Sequence, residues 1–148
     1  MANTYVQNIL HIVFHIKSNG TPIRSDDLDR IHKYMGGIVK GIGAILIEVG
    51  GMPDHVHLLI SLPKTMALSD FVRVVKAESS RWIKRINPYY ERFLWQEGYG
   101  AFSVSASVVP NVVNYIRNQA GHHKEKTFMD EYKSFLQTYK IDYDERYL

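Results

Sequence analysis

Only Gly50, Gly51, Met52 and Pro53 separate two apolar runs, Ala44-Ile45-Leu46-Ile47-Glu48-Val49 and Asp54-His55-Val56-His57-Leu58-Leu59-Ile60. Both runs are rich in branched residues and bounded by glycine or proline, so each reads as a β-strand. A connection this short allows only a hairpin, and the two strands must therefore pair antiparallel. Side chains alternate along a strand, which sends His55 and His57 to one face and Val56, Leu58 and Ile60 to the other. Two adjacent imidazoles can hold a divalent metal, which wants at least one more protein ligand and an open position for substrate. Alone, such a pair is more often structural, and the rest of the chain has to decide.

Around this hairpin the sequence reads as strand, helix, strand, strand, helix, strand. Residues 8–17 form a first strand, ended by the turn signal Ser18-Asn19-Gly20. His11 and His15 share a face of it with Val13, either beside the histidine pair or toward solvent. A helix capped by Ser25 or Asp26 carries Leu28, Ile31, Tyr34, Met35 and Ile38 at helical spacing. A second helix, 67–87, shows an apolar stripe including Phe71, Val75, Ser79, Trp82 and Ile83, and a basic face of Arg73, Lys76, Arg81, Lys84 and Arg85. An aromatic loop at 89–100 leads to a fourth strand, 101–105. The fold class is thus α+β, a ferredoxin-like β-α-β-β-α-β antiparallel sheet, followed by a later helix and a short terminal one. The later helix starts near Val109-Pro110 and runs to about His123, placing Tyr115, Gln119 and His122 on one side. The terminal helix is capped by Thr127 with Asp130 three residues on.

With 148 residues and 45% hydrophobic content, the chain suits one domain with its own core. It has no cysteine, which excludes disulfides, thiolate catalysis and cysteine-ligated zinc. No leader-like N-terminus or membrane-length apolar run is apparent, so a cytoplasmic protein without a membrane partner is expected. A net charge of +3 permits a polyanionic partner without demanding one.

The chain thus offers two strand histidines, Gln119 or His122 as a third ligand, and a tyrosine one helical turn from Gln119. An amide oxygen suits a hard ion such as Mg2+ or Mn2+, and imidazole tolerates the latter well. Such an ion would neutralise charge on a phosphate. A tyrosine hydroxyl, a weak nucleophile at its usual pKa of about 10, attacks phosphorus with help from a base or the ion's field. Together they point to phosphoryl transfer.

Met52-Pro53-Asp54-His55-Val56-His57-Leu58-Leu59 followed by Tyr115-Ile116-Arg117-Asn118-Gln119 resembles the HUH single-tyrosine transposases of the IS200-like insertion sequences, a group that includes the REP-associated tyrosine transposases. The similarity runs nearly end to end, through His11-Ile12-Val13-Phe14, Ser79-Ser80-Arg81-Trp82, Trp95-Gln96-Glu97-Gly98-Tyr99 and His122-His123. It implies one transposase domain over 1–148, with a C-terminal helix and tail, 127–148, inside it. It implies further that His55, His57 and Gln119 hold Mg2+ or Mn2+, and that Tyr115 attacks single-stranded DNA at hairpin-flanked sites. The products would be a 5′-phosphotyrosine link and a free 3′-hydroxyl, which reseals the strand in transfer without ATP. One tyrosine makes one cut and excision needs two, so a homodimer is expected, with Tyr115 serving its own chain's histidines or, in trans, the partner's. The basic helix face and aromatic loop are candidate hairpin contacts, although His15 stands where many relatives carry a cation. Two other readings share the fold: a nucleic-acid binding module without catalysis, and a histidine-based metal phosphodiesterase using water with Tyr115 structural.

Overall fold

Strands in the middle of a sheet covered on both faces must be apolar on both, and Ile12, Val13 and Phe14 in the first strand are at most 1% exposed. This strand, β1 (Ile9–His15), pairs antiparallel on one side with β3 (His55–Ser61) and on the other with β4 (Gly100–Ser103). β2 (Ile45–Met52) pairs antiparallel with β3 at the edge, giving the order β2-β3-β1-β4. That is the ferredoxin-like order expected of the sequence. The structure, a computed structural model, describes residues 3–148.

Helices α1 (Leu28–Ile42) and α2 (Leu68–Ile86) cover one face of the sheet. Their stripes, Ile31, Met35, Ile38 and Val39 on α1 and Phe71, Val72, Val75 and Ile83 on α2, close over Ile12, Phe14, Val56, Leu58 and Ile60. Leu58 and Ile60 are fully buried, each burial contributing roughly 1.5–3 kcal/mol. α1 stops at Gly43, whose φ of 96° is left-handed and brings its N–H to Lys40 O. The aromatic loop is largely part of this core: Tyr90, Phe93 and Trp95 are buried, and Trp95 donates its indole N–H to Ser79 Oγ at 3.0 Å. Tyr89 and Tyr99 alone of the loop's tyrosines stay exposed.

The other face carries α3 (Val109–Arg117), α4 (Gln119–His122) and α5 (Phe128–Thr138). Ile116 of α3 packs with Ile9, Leu59 and Val104, while Phe128, Tyr132 and Leu136 of α5 pack with Val13 and Phe102. A bulge in β2 between Leu46 and Glu48 decides how α3 sits. Leu46 pairs with Ile60 on the α1/α2 face, yet after the extra residue Glu48 pairs with Leu59 and Gly50 with His57 on the opposite face. Glu48 then meets Arg117 at 2.8 Å, and Gly50 lies directly under Ile116. Among the described residues no helix is long and apolar enough to cross a membrane.

Several expectations need correction. Neither Ser25 nor Asp26 caps the first helix: Ser25–Asp27 is a 3-10 turn, and α1 begins after Asp27 without a side-chain cap. The fourth strand is Gly100–Ser103 rather than 101–105, and Gly50, Gly51 and Met52 belong to β2, so that the turn into β3 is Pro53-Asp54. The helix expected from Val109 to about His123 is interrupted at Asn118, whose N–H reaches both Asn114 O and Tyr115 O, so that α4 is a separate turn. The first strand is also shorter than 8–17, because past His15 the chain leaves β3 and pairs only locally, Ile16 N–H with Asp54 O and Lys17 N–H with Leu94 O.

Candidate metal and nucleophile site

The site lies over β3 between α3 and α5. Strand alternation and the register with β1 put His55, His57, His11 and His15 on the same sheet face, and all four are buried. From above, α3 brings Tyr115, the turn after Asn118 brings Gln119, and α5 brings Glu131. Glu131 is 3% exposed, on an α5 face otherwise made of Phe128, Tyr132 and Phe135.

These side chains converge at short range. His55 Nε2 stands 2.7 Å from Gln119 Oε1 and 3.5 Å from Glu131 Oε1, and His57 Nε2 stands 3.1 Å from the same Glu131 oxygen. His123 Nε2 approaches Gln119 Oε1 at 3.0 Å and Glu131 Oε1 at 3.3 Å. The other carboxylate oxygen, Glu131 Oε2, accepts from Gln119 Nε2 at 3.0 Å and from the hydroxyl of Tyr115. Behind the histidines, His55 Nδ1 lies 2.7 Å from Asp54 Oδ1 and His57 Nδ1 lies 2.8 Å from His11 Nε2. Donor atoms of His55, His57 and Glu131 fall within 4.8 Å of one another, a spacing that one cation can bridge. Half-buried Tyr115 lines a cleft shared with His122, His123, Lys126 and Glu131.

Burial dominates the electrostatics. It lowers the pKa of His57, and together with the neighbouring His57 it pushes His11 down to about 3. Burial alone would raise Glu131, but the hydrogen bond and charge of His57, with hydrogen bonds from Tyr115 and Gln119, hold it well below the usual carboxylate range. Tyr115 is pushed well above the ordinary phenol value by burial first and then by the hydrogen bond to, and charge of, Glu131. The cluster is thus a set of imidazoles around one carboxylate, with burial favouring the neutral form of His57 and His11, suited to a cation and with a phenol held on its rim.

His55, His57, Gln119 and Tyr115, singled out in the sequence, are all brought together. His122, the other third-ligand candidate, turns instead onto Tyr115, ring to ring at 4.5 Å. Glu131 and His123 were not anticipated. A glutamate within the apolar stripe of a short helix was the available signal for the first, and the four-residue spacing from Gln119 was the available signal for the second. Of the basic face on α2, Lys76 is tied down, donating to Gln96 O at 2.8 Å and to Gly98 O. Arg81, Lys84 and Arg85 are exposed, but α2 lies across the sheet from Tyr115.

The sequence profile of the family described as "Transposase IS200 like" matches residues 4–119. The ISDra2 transposase TnpA of Deinococcus radiodurans is 28% identical over 120 residues, covering 78% of this chain and 84% of that protein. A crystal structure of a Deinococcus radiodurans R1 protein described as a transposase matches with a TM-score of 0.59 at 25% identity, over 80% of this chain and 96% of that one. The structure of a REP-associated tyrosine transposase bound to a REP hairpin matches with a TM-score of 0.60, over 83% of this chain and 73% of that one; at 12% identity this is a likeness of fold. Glu131 lies beyond the stretch that the family profile matches.

Proposed function

Since the chain belongs to the IS200-like transposase family, and is therefore a tyrosine transposase acting in DNA transposition, we propose that it cuts and rejoins hairpin-flanked single-stranded DNA through Tyr115. The observation that carries this reading is the meeting of Tyr115 and the histidine pair on one carboxylate: Glu131 Oε2 accepts from Tyr115 while Glu131 Oε1 faces His57 Nε2 at 3.1 Å. The donor set of two imidazoles and two oxygens fits a divalent ion of the Mg2+ or Mn2+ kind. His55 Nε2, His57 Nε2, Gln119 Oε1 and Glu131 Oε1 would hold it, extending the three ligands expected from the sequence by a carboxylate. When bound, the ion would offset negative charge building up on the scissile phosphate.

The protein's own groups do the remaining work. Tyr115 Oη attacks phosphorus, the P–O3′ bond breaks, and the 3′ oxygen leaves with the electron pair and takes a proton from solvent. Glu131 Oε2 already accepts the phenol hydrogen and receives that proton as the Tyr115–phosphorus bond forms. Strand transfer runs in reverse: a 3′-hydroxyl gives its proton to solvent as it attacks the 5′-phosphotyrosine, the bond from phosphorus to Tyr115 Oη breaks, and Tyr115 recovers a proton from Glu131. Tyr115 serves the histidines of its own chain in this reading, since the two are on facing elements of one fold. Excision needs two cuts, and two copies of the chain supply the two tyrosines.

Hairpin-bearing single-stranded oligonucleotides from both flanks of the gene, incubated with protein and Mg2+ or Mn2+, test the proposal. A detergent-resistant protein–DNA adduct that needs the ion and disappears in Tyr115→Phe is expected. Cutting retained by Tyr115→Phe would instead identify a water-using phosphodiesterase, and binding without cutting a nucleic-acid binding module.

A further inference from the structure

In both motif histidines the same ring nitrogen, Nε2, faces the cluster, and in both the remaining nitrogen is engaged from behind. His55 Nδ1 meets Asp54 Oδ1 at 2.7 Å, and His57 Nδ1 meets His11 Nε2 at 2.8 Å. An imidazole that offers its Nε2 lone pair to a cation carries its proton on Nδ1, and a buried N–H needs an acceptor. For His55 the carboxylate of Asp54 accepts. For His57, fully shielded from solvent, the group in reach is His11 Nε2, whose lone pair would accept with the proton of His11 on its own Nδ1.

The surroundings hold His11 in that role. It projects from β1 opposite Leu59, on the face that bears His57, and is 3% exposed. Its ring is stacked on His57 at 5.0 Å and boxed by the edges of Phe135 at 5.2 Å and Phe102 at 6.4 Å. We infer that His11 and Asp54 are positioning residues, fixing the orientation and tautomer of His57 and His55 so that both Nε2 lone pairs face one divalent cation. This rests on the proposal that His55 and His57 are ligands. The two supports are unequal: the Asp54 side chain is 55% exposed, so water can replace it, whereas His11 is 3% exposed.

Two measurements test the inference without recourse to activity. Long-range 1H–15N spectra of the Mg2+-loaded wild type should show His55 and His57 protonated at Nδ1; protonation of His57 at Nε2 would overturn it with no variant needed. Mn2+ binding, followed by the paramagnetic signal of the free ion, should weaken about 10–100-fold in His11→Phe and less in Asp54→Ala. His11→Gln, whose amide oxygen can accept the Nδ1 proton, should recover most of the loss. Wild-type affinity in His11→Phe would overturn this inference while leaving the metal site standing. No Mn2+ binding by the wild type would overturn the metal site itself, and this inference with it.

Discussion

Tyr115 on α3 and Glu131 on α5, 16 positions apart in sequence, are joined by a hydrogen bond in which the phenol donates to the carboxylate. The same carboxylate reaches His57, so the nucleophile and the histidine pair are held by one side chain. That carboxylate also makes the phenol harder to ionise, after burial the second reason why Tyr115 titrates above the ordinary range. Replacing Glu131 by Gln keeps an acceptor but removes the charge. The Tyr115 phenol should therefore titrate at lower pH than in the wild type while remaining above about 10, because burial is unchanged. Tyrosine 13Cζ shifts followed against pH in chelator, with Tyr115→Phe to assign the resonance, report this directly; an unmoved titration would mean that Glu131 exerts no electrostatic hold on the phenol.

Stability of the metal-free protein should fall on acidification well before ordinary carboxylates titrate. His11 and His57 have folded pKa values below 6.5, so below that pH the unfolded chain binds protons that the folded chain refuses, and stability decreases as pH falls. For His11 the window runs from 6.5 down to about 3. Each such histidine contributes a slope approaching about 1.4 kcal/mol per pH unit. Glu131 acts in the same direction lower down: its folded pKa is depressed, so its contribution is present above 4.5 and is lost as pH falls through the folded value. Urea unfolding in chelator at stepped pH should show midpoints dropping steadily below about pH 6.5, and a shallower drop in His11→Gln. A flat profile down to about pH 5 would contradict the buried neutral histidines.

On the other side of the sheet, Ser79 and Trp95 are joined through Trp95 Nε1–H and Ser79 Oγ, with Ser79 wholly buried. Ser79→Ala leaves the indole N–H without an acceptor in an apolar setting, at a cost of about 1–3 kcal/mol. The loss should appear as a lower urea midpoint with an unchanged slope. Adduct formation at saturating DNA should be unaffected, because the bond belongs to the α1/α2 core and not to the face that carries Tyr115. A loss of adduct as large as that in Tyr115→Phe would show that the two faces are coupled.

What was legible in the sequence is what local periodicity controls. The hairpin of β2 and β3, the shared face of His55 and His57, the stripes of α1 and α2, and the Thr127 cap, which accepts from Asp130 N–H, all follow from short-range patterns, although the hairpin's turn is Pro53-Asp54 and not Gly50–Pro53. The break at Asn118 has no proline or glycine to announce it, whereas Gln119 and His123 meet through i,i+4 spacing, with His123 N–H reaching Gln119 O. Glu131 joins the site through the docking of Phe128, Tyr132 and Leu136 on Val13 and Phe102, a contact between the two ends of the chain that no local pattern specifies. The bulge that moves Glu48 and Gly50 to the face of the site is likewise invisible in the apolar run Ala44–Val49, since Ile45, Ile47 and Val49 suit a strand in either register.

Gly50 is where that bulge meets catalysis. A Cβ at this position would come 2.7 Å from Ile116 Cγ2 and 3.1 Å from Ile116 O. The second neighbour is backbone, so rotating a side chain cannot relieve the contact and α3 itself must lift from β2. Tyr115 precedes Ile116 and moves with it, away from Glu131 and the histidine pair, whereas His55 and His57 stay anchored in β3 by pairing with β1. Gly50→Ala should therefore cost about 1–3 kcal/mol as overpacking and slow adduct formation about 10–100-fold through misplacement of the nucleophile. Mn2+ affinity should change far less than adduct formation, which separates a displaced tyrosine from a damaged metal site. Gly37→Ala supplies the control, because a Cβ there meets nothing within 4 Å and the residue lies inside α1. It should gain about 0.5–1 kcal/mol from helix propensity and leave the rate alone. Equal rates for Gly50→Ala and Gly37→Ala would show that α3 is not held in register by its contact with β2.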